Sequence, residues 1–136
     1  NDVFVHERAI DKLAIYLDKW DVCYPQQIEL SRGQVKQIYN ISDGELVGFG
    51  WRDAGLLAIT REAFDKTGGW DERFSNMLGE MAYYAKIDEA RLEWTDQTNA
   101  IVTHIKAANN LSKDHKLYNK QMAHDAKLLK DKYGRG

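Results

Sequence analysis

Residues 54–74 read AGLLAITREAFDKTGGWDERF, and this stretch predicts the fold class of the chain. The apolar run at 55–60 is typical of a short buried strand, and the composition of 61–67 predicts a helix directly after it. Glycines at 68 and 69 would end that helix in a turn. The residues that the turn delivers are Trp70, Asp71 and Glu72. A strand, a helix and a turn in such close succession indicate an α/β protein.

An aromatic ring beside two carboxylates is suited to carbohydrate binding. A flat ring packs on the face of a pyranose, while carboxylates accept hydrogen bonds from its hydroxyl groups. Trp51 is a second aromatic candidate. The pattern also fits an ordinary polar turn of any α/β protein, because short runs are ambiguous.

Size and composition predict a single domain, or part of one, over residues 1–136. A hydrophobic content of 43% and an aromatic content of 11% indicate a folded chain. The net charge of −2 provides no overall field for nucleic acid, which is therefore not an expected partner. The single cysteine, Cys23, excludes an intramolecular disulfide and a cysteine-based zinc site, and it fits a reducing, cytoplasmic location.

Charge is distributed unevenly along the chain. The first 104 residues carry a net charge of −7, and the last 32 carry +5. The basic part overlaps a long C-terminal helix predicted over 112–133. Such a helix can contact an anionic membrane surface peripherally, or it can contact a second copy of the chain. The alternative is a solvated helix face.

Hydrophobic periodicity predicts the other elements. A helix over 7–20 has one apolar face, formed by Ile10, Leu13, Ala14, Leu17 and Trp20. Strands are predicted at 3–5, 22–24 and 99–105. A second helix over 77–91 should turn these side chains inward: Met81, Tyr84, Ile87 and Leu92. Residues 26–45, after the strand at 22–24, read as an irregular surface excursion with strand-like pieces. The glycine-rich loop 40–51 is a candidate lid.

Three polar residues are candidates for site chemistry when each is taken alone. Asp2 precedes a strand-like segment, where a carboxylate can ligate a divalent cation. Glu80 follows Gly79 at a predicted helix start, and His104 lies near the end of a predicted strand. Each also has an ordinary structural interpretation.

Taken together and in order, these residues resemble the C-terminal half of the family 2 glycosyltransferases, which have the GT-A fold. Asn1-Asp2-Val3 is similar to the second half of the Asn-Asn-Asp motif of that family, and 55–64 is similar to its strand with an Arg-x-x-Phe ending. The run 68–74 is similar to Gly-Gly-Phe-Asp-Glu-x-Phe, with Trp70 in place of Phe. Gly79-Glu80 is similar to the start of Gly-Glu-Asp, and 102–104 to the strand that ends in His.

The chain departs from the family pattern in three ways. Met81 stands where the family has a second acid after Gly-Glu. The arginine expected on the following helix is replaced by Lys86 or Arg91. The nucleotide-binding half that precedes Asn-Asn-Asp in the family is absent, so we expect the chain to be a fragment.

The resemblance implies a GT-A type mixed sheet flanked by helices, and inverting transfer from a nucleotide-sugar donor to a carbohydrate or other hydroxyl acceptor. It implies that Asp2 and His104 help hold Mn²⁺ or Mg²⁺. Glu80 is the expected catalytic base, with Asp71 second. The expected substrate-binding residues are Trp70, Glu72 and Trp51. The rival interpretation is a non-catalytic carbohydrate-binding or protein-interaction module of the same ancestry.

Overall fold

A computed structural model describes residues 3–31, 49–50, 56–75, 78–106 and 115–135. These residues form a mixed α/β structure. The helices are α1 (Ala9–Tyr16), α2 (Arg61–Thr67), α3 (Gly79–Glu89) and α4 (His115–Tyr133). The strands are β1 (Val3–Val5), β2 (Val22–Cys23), β3 (Gln26–Ser31), β4 (Phe49–Gly50), β5 (Ala58–Ile59), β6 (Trp94–Thr95) and β7 (Ile101–Lys106).

Contacts divide the chain into two compact units, each built from two segments. Unit 1 comprises Asn1–Thr60 and Glu93–Ala108, and unit 2 comprises Arg61–Leu92 and Asn109–Gly136. Unit 1 therefore contains the described strands together with α1, and unit 2 contains the other three helices. The prediction of a single domain or partial domain stays a prediction.

Unit 1 holds two small mixed sheets. The larger has the order β1-β7-β3-β4, in which β3 and β7 are parallel and the two outer strands are antiparallel to their neighbours. The smaller has the order β5-β2-β6, with β2 antiparallel to β5 and parallel to β6. Helix α1 buries Ala9 and Leu13 against Cys23 and Ala100. Strands and helix thus share one apolar core.

Unit 2 is organised around the packing of α3 and α4. Its core cluster contains Phe74, Ala82 and Leu129, which are all buried. Leu78 and Tyr133 pack against this cluster while remaining partly exposed. The segment that leaves α2 is therefore fixed by α3, which follows it closely, and by α4, which comes much later in the chain.

Several elements confirm the sequence predictions. The helix at 61–67 and the strand at 3–5 have their predicted bounds. The glycine turn is also confirmed, because Gly68 and Gly69 have φ values of 67° and 71°, the left-handed region that favours glycine. The C-terminal helix extends to Tyr133 as predicted, whereas its predicted start at 112–114 lies outside the described residues.

Other predictions were wrong in extent or orientation. The strand-like piece expected at 27–30 is confirmed as β3, but it belongs to the larger sheet, where it pairs with β7 and β4, and not to an irregular excursion. The helix predicted over 7–20 ends at Tyr16, because the next three amides bond to carbonyls three residues back and form a tighter turn. Two residues predicted to face inward are exposed, Ile10 by 58% and Met81 by 40%. The candidate lid lies outside the described residues except for β4.

Candidate functional site

The turn after α2 presents Trp70 at the surface of unit 2. The left-handed conformations of Gly68 and Gly69 reverse the chain immediately before it. The Trp70 side chain is 41% exposed, and its ring lies 5.2 Å from the ring of buried Tyr83 at an angle of 32°. One part of the indole is thus supported by an aromatic neighbour while another part remains available to a ligand.

Gly79, in the first turn of α3, leaves room for the indole of Trp70. A Cβ atom at Gly79 would lie 2.9 Å from the indole Nε1 of Trp70, closer than ordinary van der Waals contact. Only glycine therefore allows the indole to lie in this position against the helix. Glu80 follows in the same turn and is partly buried. The structure thus places Trp70 against the helix turn that contains Glu80, and the prediction that the two side chains share one site stays a prediction.

Asp71 is buried and accepts hydrogen bonds from three side chains. Arg73 donates from Nε and Nη2 at 2.9 and 2.8 Å. From the end of α4, Lys132 Nζ donates at 2.9 Å and the Tyr133 hydroxyl at 3.1 Å. The hydrogen bonds from Arg73, followed by those from Lys132 and Tyr133, hold the pKa of Asp71 well below its usual range. A carboxylate with such a low pKa is a weak base, so these contacts favour a structural role, and the prediction that Asp71 is the second candidate base stays a prediction.

The other acidic residue of the turn, Glu72, is exposed. Lys86, one of the two residues proposed to replace the family arginine, donates to the backbone carbonyl of Gly69 at 2.7 Å. Burial lowers the pKa of Lys86. Arg91, the other, is exposed just beyond α3 and has a φ of 53°. Of the two, Lys86 thus supports the turn that carries Trp70.

Asp125 is a second buried carboxylate, and it was not among the candidates predicted from the sequence. Its side chain accepts from Ser75 N at 3.1 Å, Ser75 Oγ at 2.8 Å and Leu78 N at 3.1 Å. His124 Nδ1 lies 2.9 Å from the same carboxylate. Burial raises the pKa of Asp125, but the hydrogen bonds from His124, Ser75 and Leu78 outweigh it and lower the pKa to about 2.

Asp125 also supplies a hydrogen-bond acceptor at the start of α3, the helix whose first turn contains Glu80. Leu78 is the N-cap residue of α3 and makes no side-chain capping bond of its own. Because α3 begins with unsatisfied backbone N–H groups, a carboxylate from α4 supplies an acceptor there. The sequence could have indicated that Asp125 is buried, because it lies between Met122 and Leu129 on the apolar stripe of α4.

A cavity of about 380 Å³ lies beside these groups in unit 2. It is lined by Lys66, Thr67, Lys86, Glu89, Ala90, Lys132 and Tyr133. These residues come from the last turns of α2, α3 and α4. Since helix C-termini carry partial negative charge, the three lysines offset the ends of their own helices. The positive charge of these three lysines is therefore partly offset by the negative ends of the helices that carry them.

Unit 1 contains the metal-ligand candidate His104. It lies in β7 and pairs in register with Val3 of β1 and Glu29 of β3. His104 Nδ1 is 3.8 Å from Glu29 Oε1, so an imidazole and a carboxylate, both suitable ligands for Mn²⁺, are neighbours there. Asp2 and Trp51 lie outside the described residues. Within the part of the chain that is described, no group of three or more His, Cys, Asp or Glu is arranged to hold a metal ion. The metal site thus stays a prediction.

Comparison of the chain with protein-family models, with curated proteins and with solved structures found no match. Among the described helices, none combines the length and the apolar character needed to span a bilayer.

Proposed function

We propose that this chain is the acceptor-side part of a family 2 glycosyltransferase that transfers a sugar from a nucleotide-sugar donor to an acceptor hydroxyl with inversion. The observation that carries the proposal is the arrangement of Trp70, Gly79 and Glu80. An exposed indole lies against the start of a helix whose first turn holds a carboxylate. These are the two kinds of group that a sugar site needs, one for the ring face and one for a hydroxyl.

In the proposed mechanism, Trp70 stacks on the acceptor sugar and Glu80 takes the proton from its attacking hydroxyl. Glu80 lies in the first turn of α3, where the positive end of the helix attracts an acidic side chain. Glu72 and Trp51 remain candidates for further substrate contacts. Asp71 fixes the turn that carries Trp70.

A divalent metal, Mn²⁺ or Mg²⁺, would neutralise the charge of the leaving diphosphate when bound. His104 and Asp2 would hold it, and Glu29 is a described carboxylate beside His104. The protein would work in the cytoplasm, where nucleotide sugars are available to it.

Sugar transfer by an enzyme that contains this chain tests the proposal. The assay measures release of the nucleotide from a panel of nucleotide sugars in the presence of Mn²⁺ and candidate acceptors. We expect Glu80→Gln to lower kcat by about 10²–10⁴-fold, the usual contribution of a general base. Glu89→Gln, an exposed change on the same helix, is the matched control and should retain activity.

Near-normal turnover of Glu80→Gln with an intact fold would contradict the assignment of the base. Full activity in excess EDTA would contradict the metal requirement.

The second candidate is a non-catalytic carbohydrate-binding module. The observation that favours it is Met81, which is 40% exposed at the position where the family has its second acid. In that case acceptor sugars would quench tryptophan emission in the wild type and in Glu80→Gln alike, but not in Trp70→Ala. No nucleotide would be released from any donor.

A further inference from the structure

Four lysines form one continuous face of α4. Lys116, Lys120, Lys127 and Lys130 are spaced by four, seven and three residues. At 3.6 residues per turn, these positions lie within one quarter of the helix circumference. All four side chains are exposed. We call these four residues the lysine face.

The opposite side of α4 is the one that packs on unit 2. Buried Asp125 and Leu129 mark its centre. The orientation of α4 is therefore fixed by contacts that leave the lysine face outward. The lysine face is thus the solvent-facing side of a helix that is packed on its other side.

Five other basic residues of unit 2 have acidic partners. Arg61, Lys66, Arg73, Lys132 and Arg135 form ion pairs with Asp65, Glu62, Asp71, Asp71 and Asp88. By contrast, none of the four lysines forms an ion pair with any residue in the described ranges. Four positive charges along one line thus form no ion pair with a described residue.

We propose that the lysine face docks on an anionic lipid bilayer, with α4 lying along the membrane surface. From Lys116 to Lys130 the row extends about 21 Å in a straight line, which suits a flat surface of negative head groups. The face contains neither arginine nor an aromatic residue, the groups that read and stack on nucleic acid bases. Charge complementarity therefore fits a lipid surface better than a nucleic acid.

Co-sedimentation with vesicles tests this proposal, which does not depend on the glycosyltransferase assignment. The probes are vesicles of phosphatidylcholine alone and of phosphatidylcholine with 30% phosphatidylglycerol, at low and high salt. We expect binding to the anionic vesicles only, and we expect it to be lost in 0.5 M salt because the attraction is screened.

Paired variants locate the contact. Lys120→Gln with Lys127→Gln removes two charges from the lysine face, and Arg61→Gln with Lys66→Gln removes two exposed, ion-paired charges from α2. Since each lysine near an anionic surface is worth roughly a five-fold gain in affinity, the first pair should weaken binding about 30-fold. The second pair should leave it within about two-fold, and circular dichroism should show both variants folded.

Three results would overturn the proposal. These are equal binding to neutral vesicles, equal losses in the two paired variants, and tighter binding to duplex DNA or to an acidic polypeptide than to the anionic vesicles at the same salt concentration.

Discussion

At the scale of single residues, Asp71 joins two parts of the chain that lie 61 residues apart. Its carboxylate is 7% exposed and accepts from Arg73 in the same turn and from Lys132 and Tyr133 at the end of α4. Hydrogen bonds to charged groups are stronger than neutral ones, and burial of the acceptor reduces competition from water. Asp71 therefore links the Trp70 turn to the last helix.

Replacing Asp71 by Asn should lower the free energy of unfolding by about 2–3 kcal/mol, because Lys132 and Tyr133 lose a charged acceptor. Urea denaturation at pH 7 measures the change. Asp65→Asn is the matched control. It breaks an exposed ion pair with Arg61 and should cost less than about 1 kcal/mol. Equal losses in the two variants would show that Asp71 is not a structural link.

Asp125 should make the stability of the protein depend on acid. Its pKa of about 2 in the folded state lies below the ordinary value for Asp. The stabilisation is therefore fully present above about pH 4 and is lost as the pH falls toward 2. We expect the difference in unfolding free energy between wild type and Asp125→Asn to shrink by about 2 kcal/mol as the pH falls from about 4 to about 2.5.

Urea titrations at several pH values between 2.5 and 7 measure this difference. Asp131→Asn, an exposed change on the same helix, controls for the loss of one negative charge. A difference that stays constant down to pH 2.5 would rule out Asp125 as the titrating group.

At the scale of elements, the start of α3 depends on the absence of a side chain at position 79. Gly79→Ala would ordinarily stabilise a helix by up to about 1 kcal/mol. Here the new Cβ would meet the indole of Trp70 at 2.9 Å. Because Trp70 is 41% exposed, we expect the indole to move away from Tyr83 into solvent while overall stability changes by less than about 1 kcal/mol.

Tryptophan emission detects that movement. Gly79→Ala should shift the emission to the red and increase quenching by acrylamide. The chain has four tryptophans, so the same change is also made in a Trp70→Phe background, where both effects should disappear. An unchanged spectrum would mean that the indole does not lie against α3 in solution.

The elements also show how far the sequence predicts structure. Helix α2 was predicted with its full bounds because its limits are local, an apolar run before it and two glycines after it. The inward position of Met81 was wrong because periodicity predicts a stripe but not its exact edges, and the adjacent buried residues Ala82 and Tyr83 form the inner face instead. Strand β3 was predicted as a strand-like piece, but its place inside a sheet was not, because that place depends on β7, about 75 residues later.

At the scale of the whole molecule, each unit is assembled from segments far apart in the chain. In unit 2, α4 supplies Leu129 to the core. Its Asp125 accepts a hydrogen bond at the start of α3, and its Lys132 donates one to Asp71 in the turn that carries Trp70. A chain that ends at residue 108 should therefore lose slow amide exchange over 61–92 but keep it in β3 and β7, whose pairing lies within unit 1. Hydrogen exchange with mass spectrometry compares it with the full chain, and persistent protection of 61–92 would contradict this role of α4.

The sequence by itself determined the local features of this protein: the mixed α/β character, the short helix closed by two glycines, the position of Trp70 after that turn and the basic C-terminal helix. These follow from hydrophobic periodicity and backbone preferences, which act over a few residues. Only the tertiary structure decided that β3 lies between β7 and β4, that Gly79 makes room for Trp70, and that Asp71 and Asp125 are buried links to α4. The physical reason is that burial and hydrogen-bond partners are set by contacts between distant segments, which neither composition nor spacing records.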